Sequence, residues 1–203
     1  MRGDGVLSPV PPAGEPEDHF MYDPRNPVPT RGGNHILPIY YPRGPASQLD
    51  VEERHDVLVY TSDVFPDDIE VTGPVVVKLY AATSVTDTDF TAKLVDVYPD
   101  GRAYNIVDGI IRARYRKGPE APPTLIQPNT VVEYTVDLSS TSNVFKKGHR
   151  MRVEVSSSNF PRFDRNPNTG ELSYKARCVT TALQTVFHDT ERPSHILLPT
   201  VPR

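Results

Sequence analysis

The sequence predicts an all-β sandwich of the jelly-roll type, preceded by an irregular segment rich in proline. Two observations carry this prediction. From residue 57 onward, short runs of alternating apolar and polar residues recur at roughly regular intervals, as in half-buried strands. In addition, 22 prolines stand against 12 glycines in 203 residues, which favours loops and short strands over long helices. A chain of this length can bury a sizeable core in one domain.

We divide the chain into an N-terminal segment, residues 1–50, and a sandwich, residues 51–203. Prolines recur from Pro9 to Pro45, and because each removes a backbone donor, we expect the N-terminal segment to wrap rather than to pair as a strand. Apolar residues such as Phe20, Tyr22 and Ile36 would be wasted on a free tail. The segment is therefore expected to lie over the sandwich or against a neighbouring chain.

The run from Asp87 to Arg116 gives the clearest strand pattern. Pro-Asp-Gly at residues 99–101 suits a three-residue turn, and Asp108-Gly109 suits a two-residue type I′ turn, since both need positive φ. These signals predict a three-stranded antiparallel meander in which Val97 faces Ala103 and Val107 faces Ile110.

Alternation of apolar and polar residues within the strands predicts that each strand has one buried face and one solvent-exposed face. In the first meander strand, Phe90 and Leu94 share one face, while Thr91 and Lys93 share the other. The proline-rich loop 117–130 is long enough to cross between two sheets, which favours a jelly roll over an up-and-down barrel. The predicted strands are 57–61, 69–72, 75–83, 89–98, 102–107, 110–116, 131–138, 149–156, 177–188 and 195–199.

Charge and cysteine content limit the classes of partner and the cellular compartment that we expect for this chain. The net charge of −4 and the intermixed charges give no sign of a phosphate-binding surface, so we expect no nucleic acid partner. One cysteine cannot form an internal disulfide, and no apolar run resembles a signal peptide or a membrane span. The default expectation is a reducing cytoplasm, without a membrane partner.

Known catalytic motifs are missing from the sequence. It contains no G-x-S-x-G elbow, glycine-rich phosphate loop or H-E-x-x-H. Ser156–Ser158 follow a strand, but no histidine stands at telling spacing, which favours a loop that hydrogen-bonds its own backbone. His188-Asp189 is interpreted as a solvated turn and His149 as a hydrogen-bonded structural residue. We therefore predict no catalytic residue.

Acidic residues near the meander are assigned to structure rather than to metal. Asp87 and Asp89 could offer two oxygens to calcium, but calcium needs six to eight ligands and no third carboxylate stands at ligand spacing. Arg112 and Arg114 are expected to neutralise Asp89 or Asp96 on adjoining strands. Cys178 lies beside valine and threonine in a predicted strand and is expected to be an unreactive thiol in the core. No metal or cofactor is predicted.

Four stretches carry a family resemblance: residues 23–33, 56–63, 70–116 and 145–170. They are similar to the C-terminal domain of the cocaine-esterase and X-Pro dipeptidyl-peptidase group of serine hydrolases, the CocE/NonD family. The resemblance implies a jelly roll of the galactose-binding type. It also implies that the serine, aspartate and histidine of the triad belong to a preceding α/β-hydrolase domain, so that this chain is non-catalytic by itself while its partner acts on esters or amides.

In that family the jelly roll packs against the hydrolase domain and contributes one wall of the active-site cleft. Two regions are candidates for this role here. The first is an apolar loop after the double glycine: Gly32, Gly33, Asn34, His35, Ile36 and Leu37. The second is the loop 159–170, which carries Phe160, Arg162 and Phe163; the alternative is that this loop packs on itself, with Asp164 bound to an arginine.

The family domain begins upstream with a strand that leads into a turn resembling Gly3-Asp4-Gly5, whereas Met1 falls just before it. A sandwich without that strand would expose an edge, and we expect self-association or a docking partner. A truncated reading frame or a separately encoded subunit would explain such a start. The alternative functions are a free-standing carbohydrate- or ligand-binding module, although no tryptophan is present for stacking, and a remnant without function.

Overall fold

The computed structural model describes residues 4–36 and 38–202. Within these ranges it contains β1 (Asp4–Val6), β2 (Asp18–Tyr22), α1 (Leu49–Glu52), β3 (Leu58–Thr61), β4 (Ile69–Thr83), β5 (Asp89–Val97), β6 (Ala103–Arg112), a 3-10 turn (Ala113–Tyr115), β7 (Val132–Phe145), β8 (Arg150–Ser156), β9 (Ala182–Phe187), β10 (His195–Leu197) and β11 (Thr200–Val201). None of the helices found there is long and apolar enough to cross a membrane.

The strands form two sheets, which confirms the predicted all-β sandwich. Sheet A has the order β1-β3-β8-β5-β6, with β1 parallel to β3 and the other pairs antiparallel. In sheet B the long strand β4 is central: β7 pairs with one side, while β11, β10 and β9 follow one another along the other side, and β2 pairs with β9. The chain crosses from sheet A to sheet B between β6 and β7, as the loop 117–130 predicted.

The core fills the space between the sheets. Tyr134, Val136 and Leu138 alternate along β7 with exposed residues, and all three are buried. The Tyr134 ring packs against that of Phe90 in β5, with ring centroids 4.9 Å apart. Val153 of β8 completes this layer from the same sheet as Phe90. Their inward faces agree with the predicted alternation.

The prediction of a solvent-exposed outer face was wrong for β5, in which every residue is buried. Residues around α1 cover this face. The ammonium group of Lys93, with a side chain 4% exposed, donates to Gln48 Oε1 at 2.9 Å and lies 3.2 Å from Glu154. Beside it, burial and the charge of Glu154 raise the pKa of Glu52 to about 7, against the lowering effect of Arg152. Sheet A is thus buried on both faces at β5.

The predicted three-stranded meander is a two-stranded hairpin. Its first turn, residues 99–101, forms as expected, and Val97 faces Ala103. The second predicted turn was wrong, because β6 continues through Asp108 and Gly109, and Val107 faces Leu94 instead of Ile110.

The glycine at position 109 serves close packing between the sheets instead of a turn. A Cβ atom on Gly109 would lie 2.0 Å from the carbonyl oxygen of Asp137 in β7. Asp108 is buried and accepts a hydrogen bond from Asn159 at 2.7 Å. The Asp-Gly pair therefore marks a site where β6 and β7 approach each other.

Other strand predictions changed in extent. The predicted strands 69–72 and 75–83 are one strand, β4, with a register shift between Pro74 and Val76 that accommodates the proline. The prediction for residues 177–188 was too long, since β9 contains only Ala182–Phe187.

The N-terminal segment contributes two strands, contrary to the expectation that it only wraps. β2 occupies a stretch between Pro16 and Pro24 that is free of proline, and it forms the edge of sheet B beside β9. Phe20 and Tyr22 of β2 are buried in the core. The described part of the predicted Gly-Asp-Gly turn belongs to strand β1, and Gly3 lies outside the described residues.

Candidate functional site

The serine cluster at the end of β8 is buried and structurally engaged. Ser156 Oγ lies 2.6 Å from Thr91 Oγ1. Ser157 Oγ accepts a hydrogen bond from Gln184 Nε2 at 3.0 Å, and Ser158 Oγ accepts one from the Val28 backbone at 2.9 Å. These contacts join the two sheets and the N-terminal segment. Ser156 Oγ also donates to the Ser158 carbonyl at 3.1 Å, so the expected loop that hydrogen-bonds its own backbone describes part of the geometry.

The acidic pair before and in β5 is bound by arginine. Arg112 donates to both oxygens of Asp89 at 2.8 Å, in the bidentate geometry typical of strong ion pairs. Burial raises the pKa of Asp89 above its ordinary value, although Arg112 and Asn166 act in the opposite direction. Among the described residues, no group of three or more histidine, cysteine or acidic side chains could hold a metal ion.

Two of the predicted pairings were wrong. Arg114 binds Asp87, not Asp89 or Asp96, because the 3-10 turn after β6 carries it past Asp89, the first residue of β5, to a position two residues earlier in the chain. Its backbone N–H also donates to Asp87 at 2.9 Å. Asp96 lies near the other end of β5 and contacts His149 Nδ1 at 2.8 Å.

The loop 159–170 is anchored to this network. Asn166 donates to Asp87 at 2.9 Å and to Asp89 at 2.8 Å, so a single amide joins both carboxylates. Arg112 reaches outward to Asp164 at 2.8 Å. The alternative of a loop tied down through Asp164 thus describes part of the geometry. The network therefore holds the middle of this loop, at Asp164 and Asn166.

The double glycine forms a rigid stem. The backbones of Gly33 and Gly44 exchange two hydrogen bonds, of 2.8 and 3.0 Å. Gly32 and Gly33 have φ of 66° and 107°, in the left-handed region that favours glycine. A Cβ atom on Gly32 would lie 2.3 Å from the carbonyl oxygen of Gly44. The described residues between Gly33 and Gly44 therefore belong to a loop that leaves the sandwich at one closed point.

The two candidate regions are neighbours. Thr30 N–H donates to the Phe160 carbonyl at 2.7 Å, and Arg162 N–H donates to Thr30 Oγ1 at 3.1 Å. The Arg162 guanidinium binds Asp108 and covers Gly33, whose Cβ position lies 2.8 Å from Arg162 Nη1. Sequence reasoning named both regions but not their contact, since the residues are far apart in the chain.

An apolar surface projects from the stem, and we call it the apolar tip: Ile36, Ile39 and Tyr40. Their exposed fractions are 96%, 94% and 74%. Of the other residues proposed from sequence, Asn34 is exposed, His35 is half-buried and Leu37 lies outside the described residues.

The aromatic residues of the second region lie beneath arginines. The guanidinium carbon of Arg165 is 5.3 Å from the Phe160 ring centroid, and that of Arg162 is 5.2 Å from the Phe163 centroid. Phe160 is exposed on its remaining side and Phe163 is half-buried. The base of the loop that carries the apolar tip is therefore next to a cationic and aromatic surface.

Comparison with known proteins places this arrangement in a family. Residues 5–197 match the X-Pro dipeptidyl-peptidase C-terminal non-catalytic domain. The chain is 46% identical over 203 residues to the cocaine esterase of Rhodococcus sp. (strain MB1 Bresler), and the match covers 99% of this chain and 35% of that protein.

Two solved structures agree with this match. An aminopeptidase from a marine sediment Thaumarchaeota archaeon superposes with a TM-score of 0.88 at 31% identity, covering 99% of this chain and 36% of that chain. An α-amino acid ester hydrolase superposes with a TM-score of 0.86 at 30% identity, covering 99% of this chain and 35% of that chain. The chain spans about a third of the length of these relatives. It belongs to the family of X-Pro dipeptidyl-peptidase C-terminal non-catalytic domains, the accessory domain of CocE/NonD-type hydrolases.

Proposed function

We propose that this chain docks through its apolar tip onto the α/β-hydrolase domain of a serine hydrolase that cleaves esters or amides, and forms one wall of the active-site cleft. The relatives are named as an esterase, an aminopeptidase and an ester hydrolase, which supports acyl transfer to water as the reaction of the complete enzyme. The nucleophile and its base would come from the hydrolase domain.

The observation that carries the proposal is the exposure of the apolar tip on a rigid stem. Ile36 and Ile39 are each more than 90% exposed. Burying each isoleucine would contribute about 1.5–3 kcal/mol, or roughly 3–6 kcal/mol for both before the costs of association. Because two backbone hydrogen bonds between Gly33 and Gly44 close the loop at its base, the loop would lose less conformational entropy on docking than an open segment would.

The neighbouring loop supports a role at a cleft. Arg162 is held by Asp108 and stacks near Phe163, so its position is determined by the sandwich. A fixed wall orients substrate better than a mobile one, because a misplacement of 1 Å can reduce a rate by about a hundredfold. Gly33, at the base of the loop that carries the apolar tip, lies beside this arginine.

A chimera tests the proposal. This chain would replace the matched C-terminal third of the Rhodococcus cocaine esterase, and hydrolysis of p-nitrophenyl butyrate would be measured. We expect an active chimera, and a loss of kcat/KM of about tenfold or more when Ile36→Ser and Ile39→Ser are introduced together. The matched control is Val10→Ser with Tyr174→Ser, two residues that are 70% and 80% exposed elsewhere. Equal activity of the tip variant and the control would contradict docking through the apolar tip.

The isolated chain should be inactive. We expect no turnover of p-nitrophenyl butyrate above the uncatalysed rate, since the serine hydroxyls of the Ser156–Ser158 cluster are occupied. Turnover that a serine-directed inhibitor abolishes would show that the reacting group lies in this chain.

Without the hydrolase domain, the exposed apolar tip should promote self-association. Static light scattering at increasing concentration should show a rising average mass, and the Ile36→Ser, Ile39→Ser variant should remain a monomer. A monomeric parent chain would refute the expected self-association.

A further inference from the structure

A cavity of about 430 Å³ lies between the two sheets, on the side away from the contact of β6 with β7. Five aliphatic side chains from both sheets line its inner part: Val77, Leu79, Val153, Val155 and Val186. This volume falls in the range of about 300–1,000 Å³ that is typical of sites for small molecules. It is therefore large enough for an organic ligand.

Residues 5–15 cover the cavity, and we call this segment the strap. Gly5 lies against the ring of Tyr60, so closely that a Cβ atom would be 2.3 Å from Tyr60 Cδ1. Leu7 N–H donates to the Thr61 carbonyl at 3.0 Å. Near the other end, Glu15 lies 3.4 Å from the His188 ring. The strap is thus attached at both ends and lies over the opening between them.

The polar groups at the cavity wall already have partners. Tyr60 Oη donates to Asp18 at 2.9 Å, and His188 Nε2 lies 2.9 Å from the same carboxylate. Ser194 Oγ donates to the Phe187 carbonyl at 2.6 Å. A ligand would therefore gain few new hydrogen bonds and would bind mainly through apolar contact. Two carboxylates, those of Glu15 and Asp18, share the single imidazole of His188, so the net charge at this wall is negative and would disfavour an anion.

We propose that this cavity binds an uncharged apolar molecule, aromatic or medium-chain aliphatic, between the two sheets. The site is distinct from the apolar tip, so it does not depend on the docking proposed above. Apolar cavities without polar partners for water remain dry and accept apolar guests, as engineered cavities of about 150 Å³ accept benzene.

Fluorescence titration of the full chain with N-phenyl-1-naphthylamine tests the site. We expect saturable binding of one molecule per chain, displaced by decan-1-ol. The anionic probe 1-anilinonaphthalene-8-sulfonate should bind at least tenfold more weakly. No saturable binding of the neutral probe, or tighter binding of the anion, would overturn the proposal.

A variant that fills the cavity locates the binding. Val155→Phe should weaken probe binding by at least tenfold without lowering Tm, because the added ring enters existing space. Val136→Phe is the matched control: this valine is buried in the same core but does not line the cavity, so its enlargement should lower Tm. Unchanged probe affinity in a folded Val155→Phe chain would contradict the proposal.

Two further measurements do not depend on how Val155→Phe folds. The variant Ile36→Ser, Ile39→Ser should bind the probe as the parent chain does, whereas lost binding would place the probe on the apolar tip. In methyl NMR spectra of the parent chain, decan-1-ol should shift the methyl signals of Val77, Leu79 and Val153. Shifts confined to residues outside the cavity would refute the proposal.

Discussion

The buried pair of Arg114 and Asp87 gives the sharpest test of how loop 159–170 is held. Arg114→Met keeps most of the side-chain volume but removes the guanidinium, which donates to Asp87 at 2.9 and 2.7 Å. The Asp87 side chain is 0% exposed, so water cannot replace the lost charge without structural change. Two donors would remain: the backbone N–H of residue 114 and Asn166 Nδ2, each at 2.9 Å.

The expected cost follows from these contacts. Removing one partner of a buried ion pair costs about 3–5 kcal/mol, and the two remaining donors favour the lower end. In a domain of this length, each kcal/mol lowers Tm by about 2–4 °C, so a loss of about 3 kcal/mol corresponds to a decrease of roughly 6–12 °C. Differential scanning calorimetry measures this directly.

The matched control is Arg102→Met, at an ion pair with Asp100 in which the side chains are 57% and 56% exposed. It should change Tm little, because exposed pairs are well hydrated in either state. Similar Tm values for Arg114→Met and Arg102→Met would refute the inference that the buried network holds loop 159–170.

Three further predictions follow from local geometry. Gly33→Ala should lower Tm more than Gly14→Ala. The two glycines have φ of 107° and 109°, so alanine would be strained by about 1–3 kcal/mol at either site, but only at Gly33 would the new Cβ atom meet Arg162. Equal Tm values would refute a role for that contact. The hydrogen bond to Asp18 raises the pKa of His188 above 6.5. Burial raises the pKa of Asp18, but hydrogen bonds from His188 and Tyr60 lower it, and the net result is a pKa below 3.8. The contribution of this pair to the free energy of unfolding should be complete between about pH 4 and 6.5, and it should be lost as pH rises through the raised pKa of His188 or falls through the lowered pKa of Asp18. Urea unfolding of His188→Gln should lack this pH dependence. Identical pH profiles for the variant and the parent chain would contradict the prediction. Cys178 is exposed, contrary to the expected core thiol, and should react with Ellman's reagent without denaturant; reaction only after unfolding would contradict this exposure.

The sandwich could be predicted because its signals are local. The alternation of Tyr134, Val136 and Leu138 reports one buried face of one strand, and it survives in the structure. The turn at residues 99–101 is equally local. Asp108-Gly109 failed because the same dipeptide that favours a turn also suits a site of close contact, and only the position of β7 decides between them.

The burial of both faces of β5 could not be predicted from alternation for a similar reason. Lys93 has the character of a solvent-facing residue, but Gln48 and Glu154 form a buried polar layer around it. The contact that covers Lys93 comes from 45 residues earlier in the chain. Pairing of Arg162 with Asp108 across the candidate site is a further long-range contact that no spacing signals.

The approach of Gly109 to Asp137 makes the sandwich mechanically asymmetric. At that edge the main chains of β6 and β7 are in direct contact, so separation of the two sheets would disrupt backbone packing. At the opposite edge, a cavity separates the two sheets, and residues 5–15 and side chains line it. Thermal breathing should therefore pivot about β6 and β7, and amide deuterium uptake should begin at β1 and β10 long before it reaches the pivot.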